Sequence, residues 1–118
     1  MNKVISFVIK MNSLDDTLYG LVDALSNNTN CMKRRVGTII YNKVTDEVVG
    51  RGFNWHENGI CDCSSESTSK HAEIVAIDDI HTKHNRSDLV AYINRRPCEN
   101  CHKALMRHAK EIRYTHES

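Results

Sequence analysis

Proline is nearly missing from this sequence: Pro97 is the only one in 118 residues, and glycine appears five times. No linker, internal repeat or low-complexity tract divides the chain, so a single domain spanning residues 1–118 is expected. Long apolar runs are lacking too. None approaches the roughly 18 residues a membrane span needs. The start, MNKVISFVIKMN, has one early lysine and no small-residue cleavage site, which makes it a poor secretory leader. The expected address is cytoplasmic. Basic excess is absent: 16 Lys+Arg against 15 Asp+Glu leave a net charge of +1, unlike the usual duplex binder. Aromatics are 6% of the chain, and only Phe53 and Trp55 are placed to stack on bases, which argues against a nucleic-acid partner.

Cysteine and histidine are plentiful, at five and seven residues. An odd cysteine count without a secretory leader points to metal-bound or catalytic thiolates rather than a disulfide framework. Leu14, Leu18, Leu21, Val22 and Leu25 recur at helical spacing, with Ser13 as a candidate N-cap, and predict a helix over 13–26. The preceding Val4, Ile5, Val8 and Ile9 fit either an extension of that helix or a short strand. Two β-branched runs, 36–41 and 47–53, are separated at hairpin length. Residues 54–70 read as a long polar loop, which in a small domain is usually functional or pinned. A helix over 72–80, a strand over 89–94, a helix over 98–109 opened by Pro97, and a last strand over 111–115 follow. This order predicts a three-layer α/β/α sandwich with a mixed sheet.

Two short pieces carry chemistry: His71-Ala72-Glu73 and Pro97-Cys98-Glu99-Asn100-Cys101. Cysteines three apart in a first helical turn share one side, and a helix N-terminus lowers thiol pKa. One histidine from a neighbouring helix completes a three-ligand set, which in catalytic zinc sites leaves the fourth position to water. Zinc-bound water ionises near pH 7. Glu73, two residues after His71, is placed to carry protons rather than to bind metal. A lone C-x-x-C is compatible with a zinc knuckle or a redox pair. H-x-E on one helix and P-C-x-x-C opening a second is the more specific pattern.

At these residues the sequence resembles the cytidine deaminase superfamily, most closely its deoxycytidylate (dCMP) deaminase branch. The likeness runs from about Leu18 to Thr115. It includes C-M-K-R-R-V-G-T-I-I at 31–40, V-G-R-G-F-N at 49–54, K-H-A-E-I-V-A-I at 70–77 and A-Y-I-N-R-R-P-C-E-N-C at 91–101. It implies a cytidine-deaminase-like fold in a C-terminally short form, since relatives usually continue past the fourth core strand, and a homo-oligomer whose partner covers the open edge. The implied reaction is hydrolytic loss of the cytosine amine, with His71, Cys98 and Cys101 on a catalytic zinc and Glu73 as acid/base. Asn54 matches the family's sugar-contacting asparagine, and Tyr92, on the strand leading to the metal, is expected to bind substrate. The family's Gly-Tyr-Asn-Gly stretch, linked to nucleotide regulation, is G-F-N-W-H-E-N-G here.

The resemblance also suggests a second, structural zinc held by Cys31, His56, Cys61 and Cys63; the alternative is three free thiols. His81, His84, His102, His108 and His116 read as surface residues. Lys33, Arg34 and Arg35 are placed to meet a 5′-phosphate, so the expected substrate is a mononucleotide, dCMP. Free (deoxy)cytidine, a base in single-stranded nucleic acid or tRNA, and a silent zinc-binding module are the alternatives. Glu73 weighs against the last, because a structural zinc needs no proton carrier.

Overall fold

The structure, a computed structural model, describes residues 2–31, 34–56 and 69–115, with the side chains of 2–13 and of residue 69 set aside. Helix α1 (Asn2–Ser26) opens the chain. It begins eleven residues before the expected Ser13 start: no proline lies within 2–26, and the ambiguous apolar stretch joins the helix rather than forming a strand. Strands β1 (Gly37–Asn42) and β2 (Glu47–Phe53) form the anticipated hairpin. The Asn42 Oδ1 accepts the N–H groups of Val44 and Thr45 at 2.9 and 3.0 Å, an Asx turn that closes the hairpin.

Two-residue strands β3 (Trp55–His56) and β4 (Ser69–Lys70) pair across the mouth of the polar loop. The backbone therefore ties the loop ends together. Helix α2 (Ala72–Asp78), a 3₁₀ turn (Arg86–Asp88), strand β5 (Leu89–Ile93), helix α3 (Glu99–His108) and strand β6 (Glu111–Tyr114) complete the order. Among the described residues no helix is long and apolar enough to cross a membrane.

The main sheet runs β2-β1-β5-β6, antiparallel except for the parallel β5–β6 pair, so it is mixed as expected. Both faces are covered. Leu18 and Val22 of α1 pack on Ile39, Tyr41, Val90 and Tyr92. On the other face Ala72 and Ala76 of α2 and Leu105 of α3 pack on Ile40, Leu89, Ala91 and Ile93. Strand side chains alternate between faces, and this double cover explains why β1 and β5 are buried along their whole length.

Helix α2 lies very close to β2. A Cβ on Gly52 would stand 2.5 Å from the Ala72 carbonyl oxygen and 2.6 Å from the Ala76 nitrogen. Only a residue without a side chain permits this approach. Gly52→Ala is expected to lower the free energy of unfolding by about 3 kcal/mol, through backbone displacement. Urea unfolding would measure it, and an unchanged midpoint would mean that α2 shifts without cost.

Opposite, the Tyr92 hydroxyl donates to Asp15 at 2.8 Å, and Arg113 donates to Asp15 at 2.9 Å while lying over the Tyr92 ring. This group links α1 to β5 and β6. Burial and the bond to Asp15 push the Tyr92 phenol upward.

Candidate active site

The close approach of α2 to β2 places the residue in front of that helix at the end of the sheet. His71 is the N-cap of α2, with extended backbone and no side-chain capping bond, so its imidazole is not spent on the helix. Cys98 occupies the same position in front of α3, again extended and without a side-chain cap. Its carbonyl accepts the His102 N–H at 2.8 Å, and Cys101 follows in the first turn. The two helix starts converge. One donor atom each from His71, Cys98 and Cys101 lies within 4.8 Å of the others, and His71 Nδ1 stands 3.4 Å from Cys101 Sγ.

That spacing suits a metal. A tetrahedral zinc with N and S ligands at its ordinary bond lengths holds them about 3.6 Å apart. Charge balance agrees. Burial, and then the neighbouring Glu73 carboxylate, push the Cys101 thiol well above its ordinary range. A buried thiol beside a carboxylate becomes a thiolate only if a cation compensates it. Cys101 is 3% exposed, whereas Cys98 is at the surface, so the cluster is sealed behind and open in front. Three protein donors would leave the fourth position of a tetrahedral zinc to water, the catalytic form rather than the closed structural one.

Glu73 sits beside the cluster in the first turn of α2 and is 5% exposed. Burial raises its pKa, against the lowering effects of its own backbone N–H, His71 and Arg34. A carboxyl that burial makes readier to hold a proton is suited to taking one up and returning it.

Beside Cys98 opens a cleft of about 670 Å³ lined by Arg34, Arg96, Pro97, Cys98, Glu99, His102 and Lys103. Glu99 is paired with Lys103 at 3.3 Å. The remaining charges on this lining are positive.

The other residues singled out from the sequence fall in different places. Arg34 lines the cleft, but the Arg35 guanidinium reaches toward the Asn27 carbonyl at 3.5 Å, beyond the end of α1. Lys33 lies outside the described residues. Tyr92 is corrected: it is 2% exposed and packs under α1, on the face of the sheet opposite α2 and α3. It cannot touch a substrate at the cluster. Strand alternation, which puts Ala91 and Ile93 on the cluster's face, turns Tyr92 away. Asn54 is 8% exposed; its Oδ1 accepts the Val36 N–H and its Nδ2 donates to the Arg34 carbonyl, both at 2.9 Å.

Cys31 and His56 are both buried, and their segments lie together because Asn30 bonds the His56 N–H at 2.9 Å and the His56 carbonyl at 3.2 Å. Cys61, Cys63 and His116 lie outside the described residues. Of the histidines expected at the surface, His81, His102 and His108 are exposed, while His84 is half-buried and bonds Asn42 at 3.0 Å. The sequence reading missed Asn94, and it missed His102 and Lys103 as cleft residues. Arg96 is marked in the sequence only by its place beside Arg95. For Asn94 the available signal was a polar residue directly ending an apolar strand.

The family profile described as the cytidine and deoxycytidylate deaminase zinc-binding region matches residues 12–115. The chain belongs to the cytidine and deoxycytidylate deaminase family. Both the His/Cys/Cys cluster and Glu73 fall within the matched region of this zinc-dependent deaminase. Among solved structures, the deaminase fold is similar to dCMP deaminase from cyanophage S-TIM5 in apo form, with a TM-score of 0.75 and 18% identity over 88% of this chain and 83% of that one. The same cyanophage enzyme in complex with dCMP and dUMP aligns with a TM-score of 0.71 and 19% identity, covering 86% and 80%. A mutant cytidine deaminase from Mycobacterium tuberculosis gives a TM-score of 0.56 at 16% identity, covering 80% and 75%. Among curated proteins, no sequence matches this deaminase.

Proposed function

We propose that this deaminase converts a cytosine 5′-monophosphate, dCMP, to dUMP and ammonia, with His71, Cys98 and Cys101 as the zinc ligands and Glu73 as the proton carrier. The observation that carries the substrate choice is Arg34, set in a cleft with Arg96 and Lys103 directly beside Cys98. A guanidinium holds a phosphate through parallel charge-assisted hydrogen bonds. The cyanophage enzyme of similar fold binds dCMP and dUMP, which supports the same substrate class.

Zinc held by the three ligands would supply Lewis acidity and make water a nucleophile near neutral pH. Glu73 takes the proton that water gives up as its oxygen bonds to C4 of cytosine. It passes that proton to N3. A second proton, relayed from the new hydroxyl, goes to the exocyclic nitrogen as the C4–N bond breaks. One water is consumed, one ammonia leaves, and Glu73 ends as it began. Among the described residues the Asn54 side chain makes two bonds, both to backbone, which leaves one lone pair and one N–H, the groups a sugar hydroxyl would use.

The test is a ratio of kcat/KM values, dCMP over deoxycytidine. Arg34→Ala is expected to lower it roughly thirtyfold, the equivalent of about 2 kcal/mol for one charged hydrogen-bonding contact. Arg35→Ala, whose guanidinium faces α1, should lower it far less. A wild-type enzyme without preference for the monophosphate would leave the free nucleoside, or a base in single-stranded nucleic acid, as the substrate.

We also propose a second, structural zinc on Cys31, His56, Cys61 and Cys63. The supporting observation is the His56 ring: it is buried, and its Nδ1 has no hydrogen-bond partner among the described residues. A buried ring nitrogen left unpaired is costly, and a metal bond would satisfy it.

A further inference from the structure

Two asparagines hold the segment that carries Arg34. Asn54 accepts from the Val36 N–H and donates to the Arg34 carbonyl, and Asn94 accepts from the Gly37 N–H and donates to the Arg35 carbonyl, all four bonds at 2.9 Å. Both side chains are 8% exposed. The two sit one residue past the last paired positions of their strands, Phe53 in β2 and Ile93 in β5. A side-chain amide carries the same carbonyl and N–H pair as a peptide. The two amides therefore continue the hydrogen-bond ladder past the ends of the flanking strands, on both sides of residues 34–37.

Register is what this arrangement fixes. In extended chain, residues two apart share a face. Val36 is buried in the core on the α2/α3 side, and Arg34 accordingly lies on that side, lining the cleft beside Cys98. Arg35 points to the other side, toward Asn27. A slip of one residue would exchange the two arginines. Gly37 resists such a slip from one direction, because a Cβ there would meet the Val22 carbonyl oxygen at 2.2 Å. Asn94 is itself anchored: its carbonyl accepts the Thr115 hydroxyl at 3.1 Å.

We infer that Asn94 is a positioning residue for phosphate recognition, which selects Arg34 over Arg35 to face the cleft by locking the register of residues 34–37. The inference rests on the reading of Arg34 as a phosphate contact. Asn94→Asp keeps the acceptor for Gly37 but sets an oxygen against the Arg35 carbonyl. In the zinc-loaded enzyme it is expected to raise KM for dCMP about tenfold, with the effect on KM rather than kcat, and to lower the dCMP/deoxycytidine ratio by a similar factor.

In an Arg34→Ala background the same change should lower the ratio no further. Zinc content and melting temperature accompany each variant. If Asn94→Asp yields no folded protein, Asn94→Ser carries the same comparison. A preserved ratio in Asn94→Asp, alongside a lowered one in Arg34→Ala, overturns this inference and leaves the phosphate reading standing. An undiminished effect in the Arg34→Ala background, or an equal loss for both substrates with loss of zinc, reduces Asn94 to a structural residue. An unaltered ratio in Arg34→Ala removes the phosphate reading, and the inference with it.

Discussion

Glu73→Gln is expected to leave a folded, zinc-loaded protein whose turnover is lower by on the order of a thousandfold. Glutamine has the same shape and can accept and donate hydrogen bonds, so the packing of a residue only 5% exposed is preserved. It cannot carry a proton. Burial raises the Glu73 pKa, so this carboxyl takes up a proton more readily than an exposed one would. Ammonia release and elemental zinc, measured on the same preparation, check the expectation. Near-wild-type turnover would move the proton to another carrier. Loss of zinc would make Glu73 part of the metal's support.

Cys98→Ser should remove activity and one zinc per chain, and lower the melting temperature by roughly 10 °C. The reason is topological as much as chemical. His71 stands in front of α2 and the two cysteines open α3, so one ion held by all three would join the two helices. Ligand bonds form only in the folded state, and their free energy therefore adds to folding. Metal-replete wild type is expected to hold two zincs and Cys98→Ser one. A wild-type value of one leaves Cys31, His56, Cys61 and Cys63 without a metal role. Unchanged zinc in Cys98→Ser overturns the ligand assignment.

The residues of the cluster were legible in the sequence because their relations are local. Two positions separate His71 from Glu73, three separate Cys98 from Cys101, and helical geometry converts those intervals into shared faces. The main strands and the mixed character of their sheet were legible from a hairpin followed by alternating helices and strands, but the order in which the strands pair was not. Relations that pass through the tertiary structure were not legible. The Asn94 amide reaches Arg35 and Gly37 only because β1 and β5 are neighbours. Tyr92 went to the wrong face because alternation gives two faces without saying which helix covers which. Arg34 and Arg35 looked equivalent for the same reason. In residues 2–12 the apolar positions satisfy both periodicities, and helix was decided by continuity with the turns that follow.

Pairing of β1 with β5 joins residues such as Thr38 and Ile93 across about half of the chain. Closing so long a loop is slow compared with forming the β1–β2 hairpin. Helix α2 has only seven residues, too few to persist in water without a surface to dock on. The three cluster residues lie on either side of β5 in the chain, His71 before it and the cysteines after it. Until that strand is seated, they have no common location. A metal held jointly by His71, Cys98 and Cys101 would therefore be captured only after β5 is seated.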